Sequence, residues 1–223
     1  MAMPKFTKSA LSIVAAGLLL AGLTACTGAK STDTKSADTS SSAEKPLASI
    51  PTLTGVDTAV ALDSGFAAAL TTLGLTPGVI GGATLTDGSL HFPITGGNVD
   101  YYSPTGKVRP YVQGIIEHKD SGFSLTAGDT TVSLTNFTID PGTSKLFGDV
   151  SVNGTSAATQ ALLFNLYGGT LKPLKMDGNN AILTGTTVHV SAVAAELLNK
   201  VFKTTAVESQ LLVGVATITV IAK

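Results

Sequence analysis

Residues 130–139 read TTVSLTNFTI, and this stretch decides the fold. Val132 and Leu134 alternate with Thr and Ser, the period-two signature of a strand with one buried face. At Asn136-Phe137 the alternation changes phase, so that Phe137 and Ile139 carry it on. A one-residue phase change inside a strand predicts a β-bulge. The same pattern extends outward on both sides. Leu146, Gly148, Val150 and Val152 continue it after an Asp140-Pro141-Gly142 turn, and Phe123 and Leu125 precede it. Residues 108–118 form a long apolar run, with Pro110 placing its start at an edge or bulge. Strands are also predicted over 57–62, 79–85, 90–94, 161–166, 182–190 and 211–221. Between them stand turn sequences such as Asp87-Gly88 and Asp177-Gly178-Asn179-Asn180. Short strands at this spacing predict a mainly β fold, an antiparallel sandwich or a barrel-like meander.

Two helices interrupt the pattern. Phe66, Leu70 and Leu73 recur at helical spacing after Asp63, a good N-cap, so a helix is expected over about 64–73. A second is expected over about 192–202, capped by Ser191 and burying Leu197, Leu198 and Val201. The segments around Asp63 and Ser191 echo each other as strand, cap and Ala-rich helix. That echo suggests two corners closing the two open ends of the β region.

Composition narrows the function classes. Apolar residues make up 43% of the 223 and charged residues 13%, which suits a well-filled core under a Thr/Ser/Asn/Gly surface. Without Lys5 and Lys8, 12 of the 14 basic residues face 15 acidic ones, a formal charge of −3. With one arginine and no basic stripe, nucleic acid is not an expected partner.

The N-terminus divides as an export signal does. Lys5 and Lys8 precede an apolar core over residues 11–20, too short for a permanent membrane span. Leu23-Thr24-Ala25-Cys26 resembles the bacterial lipobox, and Cys26 is the only cysteine in the chain. The resemblance implies a lipoprotein signal peptide over 1–25 and lipidation of Cys26 by diacylglycerol and palmitate-type chains. Two or more such chains, at about 0.8 kcal/mol per buried methylene, would hold the protein stably on a membrane. The alternative is a free cysteine beside an ordinary cleavage site. After Cys26, residues 27–45 (TGAKSTDTKSADTSSSAEK) contain no large apolar side chain, so 26–46 is expected to be a flexible tether. A single β-rich domain over 47–223 follows. The expected location is the extracytoplasmic face of a cell membrane.

No nucleophile elbow, zinc-protease motif, phosphate loop or dinucleotide fingerprint occurs, and no enzyme activity is expected. No metal-ligand spacing occurs, and the Asp residues beside Gly read as turn formers rather than calcium ligands. His91 and His189 fall inside strand patterns as solvent-face or satisfied residues. His118, after Ile115-Ile116-Glu117 and before Lys119-Asp120-Ser121-Gly122, is expected at a loop mouth. With Tyr101, Tyr102 and Tyr111, it forms the candidate ligand-binding region, since tyrosines join a large apolar face to a polar tip.

Two resemblances bear on these residues. The 60–63 strand and its helix, His91-Phe92-Pro93-Ile94-Thr95-Gly96-Gly97, Ser121-Gly122-Phe123-Ser124-Leu125, residues 132–140 and the final helix and strand look like a secreted domain common in actinobacteria. No function attaches to that domain. Residues 88–152 are similar to the HtaA domain of haem-uptake proteins. The shared order is an Asp-Gly turn, the Phe-Pro-Ile strand, Gly97 to Gly106, the strand to His118 and two alternating strands. The resemblance implies a β-rich domain that binds haem through a tyrosine with a histidine assisting. His118 is the residue it carries over; the first-helix stretch, where that family's tyrosine would stand, contains none. The functions in view are therefore a non-enzymatic binding or scaffolding domain with an envelope protein as partner, a carrier of a small apolar ligand such as haem, and a hydrolase with a convergent Ser/His/Asp set.

Overall fold

The computed structural model describes residues 44–222. The expected signal peptide, Cys26 and most of the expected tether lie outside them. The described residues form one compact unit with a single core.

Alternating apolar residues become strands, and every strand pairing is antiparallel. In chain order the elements are β1 (Ala48–Ile50), β2 (Gly55–Leu62), α1 (Ser64–Thr72), β3 (Thr76–Gly81), β4 (Thr84–Thr86), β5 (Ser89–Pro93) and β6 (Gly96–Tyr101). Then come β7 (Val112–Ala127), β8 (Thr130–Asp140), β9 (Lys145–Val152), β10 (Thr155–Tyr167), β11 (Lys175–Asp177), β12 (Asn180–Val190), α2 (Ala192–Phe202) and β13 (Leu212–Ile221). They make one sheet in the order β1-β6-β7-β8-β9-β10-β12-β13-β2-β5-β4, with β3 added to β7 and β11 to β12. β5 and β8 stand far apart in that order, yet Phe92 of β5 meets Phe137 of β8 edge-on at 5.2 Å. The sheet therefore curls into a half-barrel whose flanks face each other. The fold is the barrel-like alternative, not a sandwich of two sheets.

The curl encloses the core. Ile116, Phe123 and Leu125 of β7, Val132, Leu134, Phe137 and Ile139 of β8 and Val150 of β9 point inward, as do Leu163 and Phe164 of β10. At about 25 cal/mol per Å2 such burial supplies most of the drive to fold, since a chain with a single cysteine forms no internal disulfide. The bulge foreseen in the 130–139 stretch is present: register shifts between Thr135 and Thr138, and Asn136 takes a left-handed φ of 52°.

Each helix begins as its cap dictates. Asp63 Oδ1 accepts from the Gly65 and Phe66 amides at 2.8 and 3.2 Å, and Phe66 and Leu70 are buried. Ser191 Oγ accepts from the Ala194 amide at 3.0 Å and donates to the Leu162 carbonyl at 2.7 Å. α2 buries Ala194, Ala195 and Leu198, while Leu197 and Val201 are only partly covered, because its small-residue face lies closest to the sheet. The helices do not close opposite ends. Leu62 and Val188 both sit opposite Gly214, so α1 and α2 leave the sheet at the same end. An antiparallel strand between two others puts their C-termini together, and β13 occupies that place.

Three further departures have local causes. The expected 79–85 strand is broken into β3 and β4 by a tight turn in which the Ala83 amide donates to the Ile80 carbonyl. The short strands β1, β6 and β11 lack a clear period. The two expected strands at 108–118 and around Phe123 are one strand, β7, continuous through a bulge.

Candidate functional site

That bulge determines where His118 lies. Lys119-Asp120-Ser121-Gly122 reads as a loop, but the chain accommodates it inside β7 as extra residues, with register lost between His118 and Gly122. Asp120 is left-handed at φ 54°; its amide donates to Asn136 Oδ1 at 2.9 Å and its carbonyl accepts from the Gly82 amide at 3.0 Å. With its backbone groups paired, the bulge needs no solvent. His118 is thus not at a loop mouth. It points into the core with 1% of its surface exposed.

Inside, His118 Nε2 lies 2.9 Å from Thr58 Oγ1 on β2, across the curl, and the ring meets Phe92 edge-on at 6.4 Å. Nδ1 makes no hydrogen bond. A neutral imidazole has one donor and one acceptor, so half of its capacity is unused. Burial lowers the His118 pKa to about 4, against smaller opposing pulls from the Phe137 carbonyl and the Asp57 carboxylate. The ring is therefore neutral at physiological pH. It borders a cavity of about 40 Å3 lined otherwise by Thr58 and apolar side chains, among them Phe92, Phe123, Phe137 and Phe164. A water molecule needs roughly 10–15 Å3 by the same measure, so this space is of water size and far below that of any cofactor.

The tyrosines lie elsewhere. Tyr101 ends β6 and Tyr111 stands just before β7, their rings edge-to-face at 5.7 Å; Tyr102 donates its amide to the Tyr111 carbonyl at 2.7 Å. All three are half-buried at the surface. Burial, then Tyr101, raise the Tyr111 pKa, while Arg109 pulls it down. From Tyr111 to His118 is seven residues of strand, roughly 20 Å at the usual rise. The four candidate ligand residues accordingly form two places, one sealed and one open. His91 and His189 are satisfied as expected, His91 Nδ1 by Asp57 and His189 by the Gln210 carbonyl and Thr187 Oγ1.

Sequence reasoning missed a third feature. Asp120, Asn136 and Gln160 are all left-handed, and they lie at one level of β7, β8 and β10. Asn136 Nδ2 donates to Asp149 Oδ2 at 2.9 Å, and the Gln160 amide donates to Asp149 Oδ1 at 2.9 Å. Partial burial pushes the Asp149 carboxyl up, but the hydrogen bonds from Asn136 and Gln160 outweigh it and hold it below the usual carboxylate range. Beside the aligned bulges lies a groove of about 470 Å3 bordered by Glu117, Lys119, Asp120, Thr138 and Gln160. The phase change at Asn136 was its only visible signal. Among the described residues, no cluster of three or more His, Cys, Asp or Glu could hold a metal ion. No helix there is long and apolar enough to cross a membrane.

No family model matches the chain, and no curated protein matches it in sequence. Among solved structures, it is similar to the C-terminal domain of HtaA from Corynebacterium glutamicum, with TM-score 0.53 and 13% identity over 76% of this chain and 98% of that one. It is also similar to the haem-binding protein HtaB from Corynebacterium glutamicum, with TM-score 0.48 and 12% identity over 78% of this chain and 96% of that one. At these identities the likeness is one of architecture: the chain has the curled antiparallel half-barrel fold of the HtaA C-terminal domain.

Proposed function

We propose that this chain is an exported lipoprotein, anchored through Cys26 to the extracytoplasmic face of a membrane, whose β-domain binds a partner or small ligand without catalysis. The observation that carries the anchor is Leu23-Thr24-Ala25-Cys26 placed directly behind a charged start and an apolar core. The binding role is supported by a half-barrel whose one buried histidine is set in an apolar surround, its Thr58 partner sealed with it in a water-sized cavity that admits no substrate. Cys26→Ser should leave the precursor uncut or release the protein from the membrane fraction. Unchanged processing and retention would overturn the anchor.

A second reading, haem carriage, is favoured by the fold likeness to the HtaA C-terminal domain. The residues present do not make a haem site as they are arranged. His118 is sealed behind Phe92 and Phe137 in a water-sized cavity, and the tyrosines belong to another surface. Haemin titration of residues 27–223, followed by absorbance, decides between the readings. A saturable Soret shift that weakens in His118→Ala would require the curl to open and would place the protein in haem traffic. No shift leaves an anchored domain whose partner is to be sought by crosslinking in the envelope.

A further inference from the structure

The end of the half-barrel opposite the helices has a composition unlike the rest of the surface. There the described chain begins, and Leu47, at 68% the most exposed large apolar side chain among the described residues, donates its amide to the Tyr101 carbonyl at 2.7 Å. Tyr101, Tyr102 and Tyr111 stand beside it, and Lys45, Lys107 and Arg109 are exposed around them. The loop between β6 and β7 is held to the incoming chain by Glu44, whose carboxylate accepts from the Lys107 amide at 2.8 Å. Arg109 folds back, Nη1 donating to the Val108 carbonyl at 2.7 Å and Nη2 to the Pro104 carbonyl at 2.8 Å. These bonds fix its position without neutralising it. Among the described residues the ion pairs are His91–Asp57 and Lys119–Glu117, so none of the three cations has a carboxylate partner there. Of the acidic groups nearby, Glu44 is turned into the loop, Asp100 stands one residue before Tyr101 and thus on the other face of β6, and Asp140 is held in the β8–β9 turn, where it accepts from the Thr143 amide at 3.0 Å.

An exposed leucine, amphipathic tyrosines and unpaired cations together suit a membrane–water interface, where tyrosine rings sit among headgroups and lysine and arginine meet lipid phosphates. The position suits it as well. Only residues 27–43 separate Cys26 from Glu44, a contour of at most about 60 Å, and they join the domain at this end. We infer that the Leu47–tyrosine–lysine end docks on the anionic headgroup surface of the membrane, so that α1 and α2 point away from it. The inference rests on the lipoprotein reading for its geometry, but the docking surface acts without the lipid and is testable without it.

The test uses residues 27–223, which lack Cys26 and keep the whole core, floated with phosphatidylcholine vesicles containing or lacking phosphatidylglycerol. Binding should require phosphatidylglycerol and fall as salt rises. Lys45→Glu and Lys107→Glu should each weaken it roughly fivefold or more, and Leu47→Ser should weaken it at any salt. Lys200→Glu, on α2 at the far end, should leave it unchanged, and circular dichroism should show every variant folded. Absence of binding to phosphatidylglycerol vesicles, equal binding to both vesicle types, or equal loss with Lys200→Glu would each overturn the inference. Failure here with release of Cys26→Ser from membranes would remove the docking surface and keep the anchor. Binding here with Cys26→Ser retained and processed would do the reverse.

Discussion

His118 and Tyr111 are seven residues apart in sequence and occupy opposite environments. The histidine is 1% exposed, surrounded by phenylalanines, and bonded to a residue 60 positions away. The tyrosine belongs to a surface loop pinned by Glu44 and flanked by cations that have no carboxylate partner among the described residues. A strand carries its residues apart at about 3.3 Å each, so neighbours in sequence on a long strand are not neighbours in space. The lesson is that β7 links an interior and an exterior, and that a polar-aromatic cluster counted along it joins two unrelated places.

The largest test of that contrast is truncation. Phe137→Ala, beside His118, should cost about 3–5 kcal/mol, measured by urea unfolding. Tyr102→Ala in the surface loop should cost well under that, about 1 kcal/mol or less. Equal losses would show that the loop is as integral to the core as the histidine's surround.

Acid should separate the two next. Folding holds His118 at a pKa of about 4 against 6.5 unfolded, so between these values the unfolded chain binds the extra proton. Stability from this group is therefore complete above pH 6.5 and lost as pH falls towards 4, by roughly 3 kcal/mol in all. Asp57 is the charged group that opposes the shift. His118→Gln should flatten the slope across that window, read from urea midpoints at each pH, while Tyr111→Phe should leave it intact. A wild-type stability that does not fall between pH 6.5 and 4 would show the ring to be water-accessible.

The smallest contrast lies in two glycines. A Cβ on Gly81 would stand 1.9 Å from the Asp120 carbonyl, at φ 59°, so Gly81→Ala must move backbone and should cost about 2–3 kcal/mol. A Cβ on Gly106 would meet the Glu44 carboxylate, the free end of a side chain that can swing aside. Gly106→Ala should cost under about 1 kcal/mol by thermal unfolding. It should also loosen the loop from the incoming chain. The reverse order would mean that the bulge under His118 is the adaptable region and the loop the rigid one.

What was legible followed from short-range patterns. Alternation in residues 130–139 announced β8, and its phase change announced the bulge at Asn136. Asp63 and Ser191 announced α1 and α2, because a cap bonds to amides only two or three residues ahead. Of the candidate site, the identity of the notable residues was visible, but their grouping was not. Asp149 and Gln160 gave no signal, since each matters only through strands brought alongside it. Lys119 to Gly122 looks like any loop until the Gly82 amide and Asn136 side chain arrive to bond it.

The sequence by itself determined a β-rich, disulfide-free domain with two capped helices, and it placed a lipobox-like tetrapeptide ahead of it. These depend on side-chain periodicity, on contacts within a few residues and on having one cysteine. Only the tertiary structure decided that the sheet curls into a half-barrel, that both helices leave one end, and that His118 is sealed while the tyrosines face out. Each of those rests on contacts between distant residues, Thr58 with His118, Phe92 with Phe137 and Glu44 with Lys107. Such contacts follow from which strands become neighbours, and alternation, which says only that a strand has an inner face, does not specify the strand that face will meet.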